Sequence, residues 1–307
     1  MNKEYMHVHP KFRSLVSSTR QKRLSHVLDE YWVDHRSAMA VQNWMSLLLN
    51  TPPRTRPPCL LVAGEPLSGK STIIRRLLKE NVPRLNTKND IKEYPVVSIE
   101  ITEDQKPREI YNEILSAMDI DVPHSQYTIE SVFNPRRANY FELKKVRVLV
   151  IDEIHNILLT RPREQRVNLA FIRRLTNLHR FSVMAFGTEV AEHAIILDEQ
   201  LNTRFFKLRL ERWKTKADSQ SDFRSFLAGY ETLLPFREPS QLSRKEIVEL
   251  LMEMSGGVVG QVVERIRMAA THAIIQDSRC IEVKHFLESN SPPDLSGLIL
   301  DAVNSQE

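Results

Sequence analysis

Two short stretches carry residues whose types and spacing can do chemistry. The first is GEPLSGKST, residues 64–72, in which Gly64, Gly69, Lys70 and Ser71 match the pattern G-x-x-x-x-G-K-[ST]. Glycines let such a backbone curl so that its N–H groups point at phosphate oxygens. Lys70 can reach the β- and γ-phosphates of ATP, and the Ser71 hydroxyl can bind Mg²⁺. Glu65, Pro66, Leu67 and Ser68 stand between the two glycines, and Thr72 follows Ser71. The second stretch is VRVLVIDEIHN, an apolar run ending in Asp152 and followed by Glu153. Asp152 can hold Mg²⁺ through water, and Glu153 is placed to polarise a water for attack on the γ-phosphate. An acid with an adjacent Glu favours hydrolysis over transfer to a small metabolite, which would call for an acceptor pocket and an arginine-rich lid.

Two further residues extend the set. FSVMAFGTEV ends in Gly187-Thr188, where the Thr188 hydroxyl can sense the γ-phosphate or cap the helix that follows. In DEQLNTRFF, Arg204 precedes another apolar run and can act on a neighbouring subunit's γ-phosphate.

Such residues need rigid elements behind them. CLLVA (59–63), YPVVSIEI (94–101), VRVLVI (146–151), FSVMAF (181–186) and FFKLRL (205–210) are short apolar runs separated by helical patterns. Near-continuous apolar strands alternating with helices predict an α/β fold, a parallel five-stranded sheet flanked by helices. After Trp213 the strand signals stop, and three amphipathic segments predict a small all-helical lid domain. The expected organisation is a basic helical segment with a proline-rich strap over 1–58, a nucleotide-binding domain over 59–212, a lid over 213–290 and a tail over 291–307.

The 307 residues suffice for a sizeable core, and 41% hydrophobic with 27% charged residues is ordinary for a globular protein. No run of about 18 apolar residues is present, so no membrane span is expected, and the N-terminus does not read as a signal peptide. Cys59 and Cys280 lie far apart and read as buried thiols of a cytoplasmic protein. The histidines, His155 beside the acidic pair included, show no metal spacing and read as structural.

Taken together, the strand–loop–helix, the DE strand, the GT after the fourth run, the TRF before the fifth and the helical end resemble an AAA+ P-loop NTPase. The blocks HPKFR, TPPRTRPPCLLVAGEPLSGKSTIIRR, VIDEIHNIL, REQRVNLAFIRRLTN and GTEVAEHAIILDEQLNTRF are similar to the TniB family, the TnsC-like ATPases of bacterial DNA transposition. That resemblance implies ATP and Mg²⁺ as cofactors and assembly as a homo-oligomeric ring or filament on double-stranded DNA. It also implies recruitment of a transposase, a targeting adaptor of the TniQ type, and disassembly on hydrolysis. Nucleotide contacts fall on residues 64–72, metal and water roles on Asp152 and Glu153, and the sensor on Thr188. The in-trans arginine falls on Arg204, with Arg173 or Arg174 as rivals. One departure concerns SGGVVGQVVERIR, which has Gly260 and Gln261 where many lids carry an arginine, with Arg265 and Arg267 further on. Hydrolysis is accordingly expected to be slow and partner-regulated.

For DNA, the net charge of +4 and the pI near 9.0 permit contact without demanding it. Basic clusters occur at Lys11, Arg13, Arg20, Lys22 and Arg23, at Arg136, Arg137, Lys144, Lys145 and Arg147, and at Arg161, Arg163 and Arg166. The loop ITEDQKPRE can face a duplex through Thr102, Lys106 and Arg108. Aromatics are only 7% and do not interleave with these clusters, which argues against a single-strand stacking platform. Two alternatives stay open, a replication initiator or helicase loader, and an ATP-binding scaffold with negligible turnover.

Overall fold

The computed structural model describes residues 5–121, 133, 140–214 and 217–292. Its strands are β1 (Cys59–Gly64), β2 (Arg84–Asn86), β3 (Ile91–Glu93), β4 (Val96–Glu100), β5 (Val148–Asp152), β6 (Ser182–Gly187) and β7 (Phe205–Leu210). The helices are α1 (Arg20–Leu28), α2 (Arg36–Asn50), α3 (Lys70–Glu80), α4 (Pro107–Ser116), α5 (Pro162–His179), α6 (Ala191–Ile196) and α7 (Glu199–Asn202). They continue as α8 (Ala217–Glu231), α9 (Lys245–Ser255), α10 (Val259–Ile275) and α11 (Val283–Glu288). Two compact units result, Ser37–Leu210 and Met1–Arg36 with Glu211–Glu307.

In the first unit the five expected apolar runs form one parallel sheet, in the order β4-β5-β6-β1-β7. β1 and β6 are buried at every residue, as strands covered on both faces must be. β7 lies at the edge and buries only Phe205 and Leu210 fully. Leu61, Ile99, Leu149 and Ile151 of the sheet share a core with Ile110 and Ile114 of α4 and with Leu169 and Ile172 of α5. The i, i+4 and i, i+3 spacing of those helix residues puts each pair on one face. All five strands end at the same edge, which therefore gathers Gly64, Asp152 and Gly187. A short antiparallel hairpin, β2 with β3, stands outside this sheet. At the proline-rich join, Arg147 before β5 donates to the carbonyls of Leu49 (3.3 Å) and Thr51 (2.5 Å).

In the second unit, α1 and α8–α11 close around Leu24, Val27, Phe223, Leu227, Val248, Leu251, Ile266 and Phe286. The fourth helix after Trp213, α11, is not expected from the pattern; it has six residues, too few for a full amphipathic period to be read. Arg23, counted above with a basic surface cluster, is only 2% exposed. Its Nε donates to the Pro235 carbonyl at 3.1 Å and its guanidinium lies over the Phe236 ring, so it braces the core. Cys59 is fully buried, with its thiol pushed up to about 11 by that burial, whereas Cys280 is half-buried, not the core thiol expected.

Candidate nucleotide site

The loop between β1 and α3 is shaped by what it must avoid. A Cβ on Gly64 would lie 2.5 Å from Ser68 Oγ and 3.0 Å from Leu210 Cβ, so glycine lets the loop fold back here without displacing its neighbours. Gly69 has φ 90°, a left-handed conformation that glycine adopts without strain, and it opens α3 with no side-chain cap. The first-turn N–H groups of an eleven-residue helix thus have no side-chain acceptor at their N-cap, the arrangement that suits an anion.

Lys70 is 7% exposed, and its Nζ donates to the carbonyls of Gly64 and Glu65, both at 2.9 Å. An ammonium carries three donors, so one remains for a phosphate. Burial lowers the Lys70 ammonium from its ordinary value, and the carboxylates of Glu153 and Asp152 oppose that shift. Lys70 and the acidic pair therefore share one electrostatic environment. Ser71 is exposed and Thr72 half-buried. Ser68 Oγ is buried with no hydrogen-bond partner, an orphan polar atom inside the cradle.

Asp152 ends β5 and accepts the Glu153 N–H on Oδ1 at 2.9 Å. Glu153 has φ 51° and ψ 38°, left-handed for a residue that rarely adopts it. The turn lets Ile154 and Ile157 of the following 3-10 helix enter the core while Glu153 stays half-exposed. Its Oε2 lies 3.0 Å from His155 Nδ1, a contact that the structural reading of His155 did not anticipate.

Ala63 pairs with Gly187 and Ile151 with Ala185, so β6 lies between the strand ending in Gly64 and the strand ending in Asp152. With neighbouring strands about 4.8 Å apart, the loop and the acidic pair are separated by roughly 10 Å of sheet. Thr188 leaves the intervening strand between them. Helix α6 begins at Ala191 with Val190 as N-cap and no side-chain cap, so the capping alternative for Thr188 does not hold.

Arg204 stands at the opposite end of the sheet, where its carbonyl accepts from the N–H of Cys59, the first residue of β1. It is 9% exposed, and Nη1 donates to Asn177 Oδ1 at 2.8 Å and Thr176 Oγ1 at 3.4 Å. Any role at a phosphate would have to be at a neighbouring copy's site. The rivals are engaged too: Arg173 pairs with Asp198 at 3.5 Å, and Arg174 lies 3.6 Å over the Phe133 ring. In the helical unit, Arg265 bonds Asn290 and Arg267 bonds the Asp29 carbonyl, both at 2.7 Å.

Of the DNA candidates, Thr102 and Lys106 are exposed and Arg108 half-buried, while Arg136 and Arg137 lie outside the described residues. Lys106 caps α4, and a cavity of about 300 Å³ brings it together with Arg161 and Arg163 at the start of α5. Those clusters are separate in the sequence. Among the described residues no helix is long and apolar enough to cross a membrane, and no group of three His, Cys, Asp or Glu could hold a metal.

The fold is that of AAA+ proteins. The Aeropyrum pernix ORC2 protein, in its ADPNP–ADP complexes, superposes with a TM-score of 0.61 at 13% identity, over 86% of this chain and 70% of that one. The Aeropyrum pernix ORC1 protein in complex with DNA gives 0.55 at 14% identity, over 87% and 68%. Cdc6p from Pyrobaculum aerophilum gives 0.57 at 16%, over 89% and 73%. At such identities the likeness is one of fold. No curated protein matches the sequence. The family model described as bacterial TniB protein matches residues 23–215, more than half of the chain and all of the site just described, and the chain belongs to the TniB family.

Proposed function

We propose that this chain is an ATPase that assembles on double-stranded DNA and regulates transposition. The observation that carries the reading is the convergence of Lys70, Asp152, Glu153 and Thr188 at the ends of β1, β5 and β6. The loop amides of 64–72 and Lys70 bind the phosphates, and Thr188 senses the terminal one. Glu153 takes the proton of a water as it attacks the γ-phosphorus, and ADP leaves with its β–γ bridging oxygen. Mg²⁺ would be held by the Ser71 hydroxyl and, through water, by Asp152, and supplies charge neutralisation on the phosphates. Its remaining ligands would be phosphate oxygens and water, since the described residues offer no cage of their own.

ATP binding then favours a homo-oligomeric ring or filament on the duplex, which recruits a transposase and a TniQ-type adaptor, and hydrolysis dismantles it. The family supports this reading over a replication initiator, with which the likeness extends to fold alone. Electron microscopy of the protein with duplex DNA and either ATP or ADP tests it. Rings or filaments on DNA with ATP, and fewer with ADP, are expected; monomers in both cases would sink it.

A further inference from the structure

His155 sits between the ends of two strands, and one of its ring nitrogens faces two neighbours at once. Nδ1 lies 3.0 Å from Glu153 Oε2 and 3.5 Å from the backbone nitrogen of Thr188. The two neighbours ask opposite things of it. A carboxylate needs a proton on Nδ1, and an N–H donor needs the lone pair there. One nitrogen cannot serve both, and the shorter distance is the one to Glu153.

The ring is held where this choice must be made. A Cβ on Gly187 would meet Nδ1 at 3.2 Å, Ile154 Cγ2 at 3.3 Å and Ala191 Cβ at 2.8 Å. A side chain at 187 would clash with Ala191 and press on the imidazole, so the bare backbone at the end of β6 leaves the ring its room. From the other side, the left-handed Glu153 backbone and its N–H bond to Asp152 fix where the carboxylate starts.

From this geometry we infer that His155 is a positioning residue. It holds the Glu153 carboxylate through Nδ1–H, beside the strand end that carries Thr188. When the Thr188 amide claims Nδ1, the ring passes its Nδ1 proton to solvent and takes one from solvent on Nε2, so its proton count is unchanged, and the hold on Glu153 is lost. Water polarisation at Glu153 is thereby coupled to the state of Thr188. The inference rests on the hydrolytic reading above, and its own test separates the two.

Nitrogen-15 shifts of histidine-labelled protein report the His155 tautomer without any turnover. Nδ1–H is expected in the wild-type chain and Nε2–H in Glu153→Ala; Nε2–H in both would overturn the link whether or not ATP is hydrolysed. Turnover supplies the second arm. His155→Ala should lower kcat about tenfold with KM for ATP within about twofold, because an unheld Glu153 is misplaced, not removed. His155→Asn, whose amide nitrogen can stand in for Nδ1–H, should recover most of that loss. Combined with Glu153→Gln, His155→Ala should cost nothing more, as expected for residues that act as one unit. An Asn variant as slow as Ala, a raised kcat in His155→Ala, or additive losses in the double variant would each reject the role. A wild-type protein with no turnover would refute the hydrolytic reading instead, and the tautomer would still decide the His155–Glu153 link.

Discussion

Lys70 Nζ donates at 2.9 Å to the carbonyl of Gly64, so the first residue of α3 is tied back to the last residue of β1 across the loop between them. The ammonium thereby keeps the loop curled while retaining a donor for a phosphate. Lys70→Ala should weaken ATP binding by about tenfold to a hundredfold, the worth of one charge-assisted hydrogen bond. Fluorescent-nucleotide titration reads this directly. Affinity equal to the wild-type value would remove Lys70 from the site.

Glu153→Gln keeps the shape of the side chain and loses the base. Hydrolysis should fall by about a hundredfold or more while ATP still binds. On the proposed function, complexes on DNA should then outlast those of the wild type, as followed by dissociation after ATP is withdrawn. Undiminished hydrolysis would reject Glu153 as the water-polarising residue.

The close approach at the loop makes a stability prediction. In Gly64→Ala the new methyl meets Ser68 Oγ, a clash expected to cost about 1–3 kcal/mol. Ser68→Ala alone should be neutral or slightly stabilising, since it removes a buried hydroxyl that has no partner. Adding Ser68→Ala to Gly64→Ala should return part of the loss in thermal unfolding. No recovery would place the strain against the Cβ atoms of Leu210 and residue 68 instead.

Much of this architecture was legible because buried parallel strands read as unbroken apolar runs, and because G-x-x-x-x-G-K-S fixes a loop by itself. The residues that escaped did so for physical reasons. β2 and β3 are three residues each and bury none of them fully, so they leave no alternation to detect. Arg23 is a surface type on a helix, and only its bond to a carbonyl 212 residues away makes it a core residue. The His155–Glu153 contact depends on a left-handed glutamate, which nothing in the residue type announces. That Thr188 falls between the loop and the acidic pair follows from strand order, which a single sequence does not encode locally.

Lys106 and Arg163 meet at one cavity and are exposed, so phosphate binding there would be independent of sequence. On the proposed function, replacing either by Ala should weaken duplex binding to all sequences alike. It should also reduce the slope of log affinity against log salt by about 1 for each phosphate that is no longer neutralised. Lys79→Ala, on the exposed side of α3, serves as the control. Equal slopes in all of these variants would move the duplex to another face.

The helical unit should lose stability in mild acid. His26 has its Nε2 on the Leu233 carbonyl (2.7 Å) and its Nδ1 on the Tyr31 hydroxyl (2.5 Å). This pairing suits a neutral ring that donates once and accepts once, with Tyr31, pushed up to about 12 by burial, staying a donor. Burial lowers the pKa of His26, and likewise that of His35 and His285, from the ordinary 6.5. Below about pH 6.5 the unfolded chain therefore takes up protons that the folded chain refuses. Stability should be flat above that pH, fall as pH drops through it, and level off only below the folded values. His35→Phe can keep the ring contacts with Trp213 and Phe226 and has nothing to protonate. Its melting temperature should therefore decline less between pH 7 and pH 5.5 than that of the wild type, as measured by calorimetry. An identical decline would show that His35 is as free to protonate folded as unfolded.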